Sequence, residues 1–223
     1  MKGPVRSGDM LESGAMHVNL AYYLILVPAL LLAITCHECA HAGVARLCGD
    51  PTAQRMGRLT LNPLAHLDPL GTLMIFLIGF GWGKPVPVDV SRLRHPRADA
   101  LVSAAGPLTN LLLAYLASRL LRATAPAGEG IGSSFFTLML VVMVELNLAL
   151  CFFNLIPLFP LDGSHVLEQV LPRDLGARVA FFNHRYGSLL LLGLILAGRF
   201  TRFDLFTTLL SPPISFFRTL WLG

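Results

Sequence analysis

Five consecutive residues, His37-Glu38-Cys39-Ala40-His41, carry the strongest chemical signal in the chain. Imidazoles four positions apart stand on one face of an α-helix, so both can bind one tetrahedral metal ion. Glu38, rotated about 100° from His37 around the same helix, can reach a water beside that ion. The chemistry such a set would do is hydrolysis by a zinc-activated water, with the glutamate as general base. Catalytic zinc needs a third protein ligand and an open fourth position. The candidate ligand is Asp162, in the stretch Asn154-Leu-Ile-Pro157-Leu-Phe-Pro160-Leu161-Asp162-Gly163.

The elements that must position these groups follow from composition. Of 223 residues, 54% are hydrophobic and 13% charged, about half the charged share of an ordinary soluble domain, and the mean hydropathy is +0.65. Uncharged apolar runs of nearly twenty residues recur, so lipid is the solvent for most of the chain. The net charge of +4 comes from basic residues lying between apolar runs, without interleaved aromatics. They read as topology signals and argue against a nucleic-acid partner. The four cysteines, Cys36, Cys39, Cys48 and Cys151, lie in or beside apolar segments and read as free, buried thiols rather than a disulfide framework.

The first apolar run, Val18 to Cys36, is expected to continue as helix through the His-Glu motif to about Cys48, with a kink at Pro28. Lys2 and Arg6 precede it as in a signal peptide, but the run has no small-residue cleavage site and is expected to be retained. Thirteen residues from Gly71 to Gly83 are too few for a normal span and suggest a re-entrant or interfacial hairpin. Pro85 and Pro87 favour extended backbone after it. Clear spans follow at Ala100 to Ser118 and Phe135 to about Phe153, the former with small residues from Ser103 to Gly106 that would admit a neighbouring helix. Pro157 and Pro160 then break the helix, and irregular backbone at membrane depth survives only inside protein or beside a water-filled cavity. Glu168 to Arg185 is polar and amphipathic, Gly187 to Gly198 is a short apolar run, and the last apolar stretch is expected to be broken at Pro212 and Pro213.

These elements define an all-α polytopic membrane protein: a bundle of about four to six transmembrane helices with a short re-entrant or β-hairpin segment after the first helix. It is read as one integral-membrane domain over 1–223, with the catalytic core at about 17–170 and C-terminal membrane helices at about 187–222. Eleven of the 17 Lys and Arg residues fall on the side that holds the loop from Arg46 to Arg97. By the positive-inside rule that loop is cytoplasmic and the N-terminus is outside. His41 would then lie only about 8 Å inside Arg46, and both metal motifs would sit near the cytoplasmic face.

The motifs resemble the site-2 protease family of intramembrane zinc metalloproteases. HECAH matches the family's first zinc motif, and NLIPLFPLDG matches the second, Asn-x-x-Pro-x-x-Pro-Leu-Asp-Gly. GRLTLNPLAHLDPLGT, GWGKPVPVD and SAAGPLTNLLLA are similar to the short branch without PDZ or CBS domains, and the likeness runs from about Leu30 to Leu167. The resemblance implies Zn2+ on His37, His41 and Asp162, Glu38 as general base, and Asn154 helping to hold the substrate or its oxyanion. It further implies a transmembrane protein substrate, cleaved within the bilayer of the cell (plasma or inner) membrane near the cytoplasmic side. A substrate helix must unwind locally to expose its carbonyls, and the GKPVPVD segment could clamp the unwound strand by β-addition.

Other polar residues are weighed against bland roles. Cys36 and Cys39 have CxxC spacing but point about 120° and 180° away from the two histidines and read as packing. Glu145, in mid-span, is expected to pair with Asn147 or Asn110, with a proton or water path as the other reading. His165 could approach the metal as a less favoured ligand. His66 and Asp68 read as loop contacts, His95 and His184 as interface residues, and His17 as a helix start. The competing function is a non-proteolytic metal-binding transporter or scaffold, which Glu145 keeps open.

Overall fold

The computed structural model describes residues 20–78, 81–95, 97–124, 135–200 and 205–223. His17 and the segment preceding residue 20 lie outside them. Helix α1 (Leu20–Leu47) continues unbroken through Pro28 and the His-Glu motif. A short turn of helix, α2 (Thr52–Arg55), and α3 (Pro69–Ile78) follow, then an extended stretch leading to α4 (Ala98–Thr124) and α5 (Phe135–Asn154). Beyond the proline-rich break come α6 (Asp162–Val170), α7 (Arg173–Phe182), a wide turn at Asn183–Gly187, α8 (Ser188–Phe200) and α9 (Leu205–Leu222). Among the described residues four stretches are long and apolar enough to cross a membrane: Tyr23–Leu47, Ala98–Thr124, Phe135–Asn154 and Arg173–Gly198.

The packing rests on two stripes of residues four apart. On α1, Ile25, Ala29, Ala33, His37, His41 and Ala45 are all buried. On α4, Ala98, Val102, Gly106, Asn110, Ala114 and Ser118 are buried in the same periodicity. Residues four apart form the ridges by which helices interdigitate, and small side chains let the backbones come close. In lipid there is no hydrophobic drive to hold helices together, so this close contact and the hydrogen bonds across it must do so. Helix α4 packs against α1, α5 and α6. A core of Ala29, Ala114, Ala117, Leu121, Leu140, Val144 and Leu148 fills the half of the bundle away from the histidines, with Phe217 and Trp221 of α9 laid against it.

Of the two forms expected after α1, the β-hairpin has no ladder among the described residues, and the segment holds a short helix instead: α3 has ten residues and is closed by a single antiparallel bridge between Leu67 and Gly83. Two expectations are corrected. The polar stretch before residue 187 joins the fourth span rather than preceding it. The chain stays helical because the wide turn seats Gly187 against Phe159, whose backbone N lies 3.0 Å from where a Cβ would stand, and Asn183 donates to the Pro157 carbonyl at 3.4 Å. Helix α9 also passes through Pro212 and Pro213 instead of breaking there. The expected free thiols are all present, but only Cys151 is buried and the other three are half-buried.

The connector from α1 to α4 is tied at both ends. After α1 the chain turns at Gly49, whose φ of 110° is a backbone conformation suited to glycine. Arg94 N–H donates to the Cys48 carbonyl at 2.9 Å. Asp50, fully buried, accepts from the Thr52 amide at 2.9 Å, from the Thr52 hydroxyl and from the Asp89 amide at 2.7 Å. Farther along, Lys84 N–H donates to the His66 carbonyl at 2.8 Å, Arg58 donates to the Lys84 carbonyl, and the buried His66 ring bonds the Thr60 carbonyl at 2.9 Å. Asp68 accepts from Gly71 N–H at 2.8 Å at the start of α3. His66 and Asp68 are thus loop contacts, as their surroundings in the sequence indicate.

Burial pushes the Asp50 carboxyl up, but the hydrogen bonds from Thr52 and Asp89 outweigh it and hold the group below its ordinary value. A lowered folded value means that the stabilisation is complete above about pH 4, where the unfolded group is already ionised, and is lost as pH falls through the folded value. Asp50→Asn is expected to cost about 1–2 kcal/mol at pH 7, and the gap in melting temperature from wild type should close as pH is lowered from 6 toward 3. A constant gap across that range would show that the carboxylate is not the stabilising group.

Candidate metal centre

The α1 stripe sets His37 and His41 one turn apart facing α4. The α4 stripe meets them with three successive residues of the same periodicity, Val102, Gly106 and Asn110. His41 Nδ1 donates to the Val102 carbonyl at 2.7 Å, and His37 Nδ1 donates to Asn110 Oδ1 at 2.6 Å. Each neutral imidazole has one N–H, so both Nε2 atoms are left with bare electron pairs. Between those two contacts Gly106 leaves a hollow: a Cβ there would stand 2.5 Å from His37 Nε2 and closer still to His41 Nε2.

Asp162 enters the hollow from the break after α5. Leu161 is extended, with φ −79° and ψ 152°, and α6 begins at Asp162 itself. Gly163 makes this approach possible, since a Cβ on it would lie 2.6 Å from the Ile156 carbonyl oxygen. Asp162 Oδ2 stands 3.2 Å from His37 Nε2 and Oδ1 stands 3.4 Å from His41 Nε2, while the two Nε2 atoms are 3.0 Å apart. The candidate ligand atoms of all three residues lie within 4.8 Å of one another.

This donor set fits a metal cation. Two bare imidazole nitrogens and a carboxylate repel one another unless a positive charge stands among them. Asp162 Oδ2 is buried and receives no hydrogen bond from the described residues, although buried oxygens are almost always satisfied. Two nitrogens and an oxygen ligand suit zinc among the divalent ions.

A cavity of about 640 Å³ opens on this point, and its walls include Glu38, Asn154, Trp82, Val86 and Val88 besides the three ligand candidates. Glu38 Oε2 accepts from the Val86 amide at 3.1 Å, so the extended stretch after α3 holds the carboxylate beside the cavity. Asn154, half-buried, donates to the Leu150 carbonyl at 2.9 Å and thereby keeps its oxygen end free of that bond. The five residues singled out from sequence therefore line one cavity. Cys36 and Cys39 are not among its lining residues.

His165 does not join the cluster: its Nδ1 lies 3.4 Å from Asp99, and its ring stands 6.4 Å from Phe159 and 6.1 Å from His184. His184 packs on Phe159 at 4.6 Å, and His95 accepts from the Arg97 amide in an exposed loop. Glu145 takes Arg218 of α9 as its partner at 3.5 Å, rather than Asn147 or Asn110, which bond each other at 2.8 Å. The reason lies in the helix period: Glu145 is two residues from Asn147 and so points to another side of α5. Motif reading leaves Val102 unassigned, takes Gly106 for helix packing and Asn110 for a partner of Glu145, and puts Val86 in a substrate clamp rather than on Glu38. The shared spacing of four in α4, matching that of the histidines, is the signal that could have found three of them.

A model of peptidase family M50 matches residues 125–194, a stretch that contains Asp162. YwhC of Bacillus subtilis (strain 168), assigned the name of a zinc metalloprotease, is 38% identical over 211 residues, 87% of this chain and 95% of YwhC. Rip2 of Mycolicibacterium smegmatis (strain ATCC 700084 / mc(2)155), with the same kind of name, is 31% identical over 67% of this chain and 58% of its own length. Rip2 of Mycobacterium tuberculosis (strain ATCC 25618 / H37Rv) is 34% identical over 68% and 60%. No solved structure gives a significant match.

Replacing Gly106 by alanine puts a methyl group where the cation would stand. Metal content of the purified Gly106→Ala variant is expected to fall, with affinity weakened by about tenfold or more, while far-UV circular dichroism stays that of the wild type. Unchanged metal content would mean that the hollow is not the site.

Proposed function

Because this chain belongs to peptidase family M50, we propose that it is an intramembrane zinc metalloendopeptidase, cleaving transmembrane segments of membrane proteins near the cytoplasmic face with Glu38 as general base. The coarser statement, a zinc metalloprotease of multi-pass membrane architecture, follows from the family and the four candidate spans. The finer reading is carried by one observation: two bare imidazole nitrogens and a carboxylate oxygen without a hydrogen bond among the described residues converge in a cavity that is also lined by Glu38, held there by the Val86 amide.

His37, His41 and Asp162 would hold the zinc. Bound there, zinc supplies a Lewis acid that polarises a peptide carbonyl and brings the pKa of a water down to about 7. Glu38 accepts a proton from the attacking water and returns it to the leaving amine as the C–N bond breaks. The Val86 amide orients Glu38 for both transfers. Asn154, lining the same cavity, binds the substrate backbone or its developing oxyanion. An unwound substrate strand lies along residues 84–88 and donates its amides to carbonyls there, since the N–H groups of Lys84 and Val86 are already engaged and Pro85 and Pro87 have none; with the Val86 amide given to Glu38, clamp and base are one unit.

Depth supports the cytoplasmic assignment. His41 is six residues before the end of α1 at Leu47, or about 9 Å, and Asp162 follows the end of α5 on the same side. The seven Lys and Arg residues from Arg46 to Arg97, between the first two spans, favour the cytoplasm for that side. The transporter reading loses its main support, because Glu145 is accounted for by Arg218.

Zinc stoichiometry by elemental analysis tests the ligand set without a known substrate. Wild type is expected to carry about one zinc per chain, Asp162→Ala little or none, and Glu38→Gln a full complement with no proteolysis of an unwound transmembrane reporter. Well-folded, zinc-replete wild type without bound zinc overturns the reading. Full cleavage by a protein with proline at both Val86 and Val88 would remove the strand clamp from it.

A further inference from the structure

We infer that Asn110 and Asn147 are positioning residues, an amide relay of fixed polarity that holds the His37 imidazole in the one tautomer able to bind a cation. The inference rests on the reading of His37, His41 and Asp162 as zinc ligands. Neither asparagine reaches the hollow itself. Both are fully buried, in helices α4 and α5, which pack against each other and against α1.

The polarity can be followed from a group whose role is unambiguous. A backbone carbonyl only accepts, so the Asn147 atom 2.8 Å from the Met143 carbonyl is its Nδ2. The Oδ1 of Asn147 therefore faces Asn110, and the atom of Asn110 at 2.8 Å from it is again an Nδ2. The Ala33 carbonyl, 3.3 Å from that same Nδ2, demands the same orientation. The oxygen end of Asn110 is then directed at His37 Nδ1, 2.6 Å away, and an oxygen there requires Nδ1–H. With its single hydrogen on Nδ1, the ring presents a bare Nε2 to the hollow. Were either amide reversed, an N–H of Asn110 would face Nδ1, the ring hydrogen would move to Nε2, and no electron pair would remain for the metal.

The contrast with His41 shows why a relay is needed on one side only. His41 Nδ1 meets the Val102 carbonyl, which has no second orientation. Asn110 has two, which the long contact to the Ala33 carbonyl at 3.3 Å discriminates less firmly than the Asn147 oxygen at 2.8 Å, and in a sealed helix interface no water can correct the wrong one. A carboxylate at 110 would accept from His37 in either orientation, but it would add a third negative charge beside Asp162 and Glu38. With an amide there, two carboxylates and one divalent cation sum to zero, which suits a site sunk in lipid.

The relay predicts a dependence that mere helix glue does not. In the full-length protein in detergent, zinc affinity is read by competition with a chromophoric chelator, and ligand geometry by the visible bands of the cobalt(II) form. Asn147→Leu and Asn110→Leu are expected to weaken zinc by about 10–100-fold and to shift the cobalt bands. In an Asn110→Asp background, whose own affinity is the reference, adding Asn147→Leu should cost little more, because either carboxylate oxygen can accept from His37 and no amide end remains to be held. An equal loss from Asn147→Leu in both backgrounds, or wild-type affinity and bands in Asn147→Leu alone, overturns the relay. Should the leucine variants fail to fold, 15N-histidine spectra of zinc-free wild type, assigned with His37→Ala, decide: His37 protonated at Nδ1 supports the relay and at Nε2 overturns it. Wild type that holds no zinc, or Asp162→Ala that holds it as tightly, overturns the ligand reading and the relay together, whereas zinc-bound wild type with an unaffected Asn147→Leu overturns the relay alone.

Discussion

Three electron-pair donors brought to one point inside a membrane protein cannot be stable by themselves. His37 Nε2, His41 Nε2 and the Asp162 carboxylate stand 3.0–3.4 Å apart, with the histidine hydrogens spent on Asn110 and Val102. A cation among them turns mutual repulsion into attraction, and most of the architecture can be understood as the means of assembling that arrangement. Two donors come from one helix through a spacing of four. The third needs a chain that stops being helical, which is what Pro157 and Pro160 bring about after α5.

The same spacing of four builds the bundle. Helix α4 opposes the histidines with a carbonyl, a gap and an amide at Val102, Gly106 and Asn110, and continues with Ala114 and Ser118 against the distant half of the core. One stripe therefore serves both cohesion and the site. In lipid, where apolar burial brings helices no advantage over contact with acyl chains, close backbone approach and buried polar bonds are what hold them. The Asn110–Asn147 bond joins α4 to α5 close to His37, so that helix packing and ring orientation depend on the same atoms.

The connector answers a different need. On the proposed function, a helical substrate would need an extended backbone beside Glu38, and extended backbone exposes polar groups that lipid cannot satisfy. Here residues 83–90 are fastened by Asp50, His66 and Arg58, and the Val86 amide is given to Glu38. The wide turn at Asn183–Gly187 closes over Phe159 from the other side, joining the proline-rich break to the fourth span.

Much of this was legible without coordinates. The His-Glu motif on an apolar helix, the aspartate after a double-proline break and the run of small residues in α4 identified the metal candidates, the membrane setting and the face of approach, because each depends on local period or on backbone chemistry that a residue carries with it. What the sequence could not decide were relations between helices. Glu145 and Asn147 are two positions apart, yet one turns to Arg218 and the other to Asn110; the rotation of α5 against its neighbours sets that, and no local pattern encodes it. The continuity of the fourth span and of α9 through their irregular stretches was likewise a matter of tertiary contact, since Gly187 and Asn183 are held by a turn some 26 residues earlier. Residue types and spacing determined which groups could bind a metal. Only the three-dimensional packing decided which hydrogen each imidazole keeps, and so whether those groups can act as ligands.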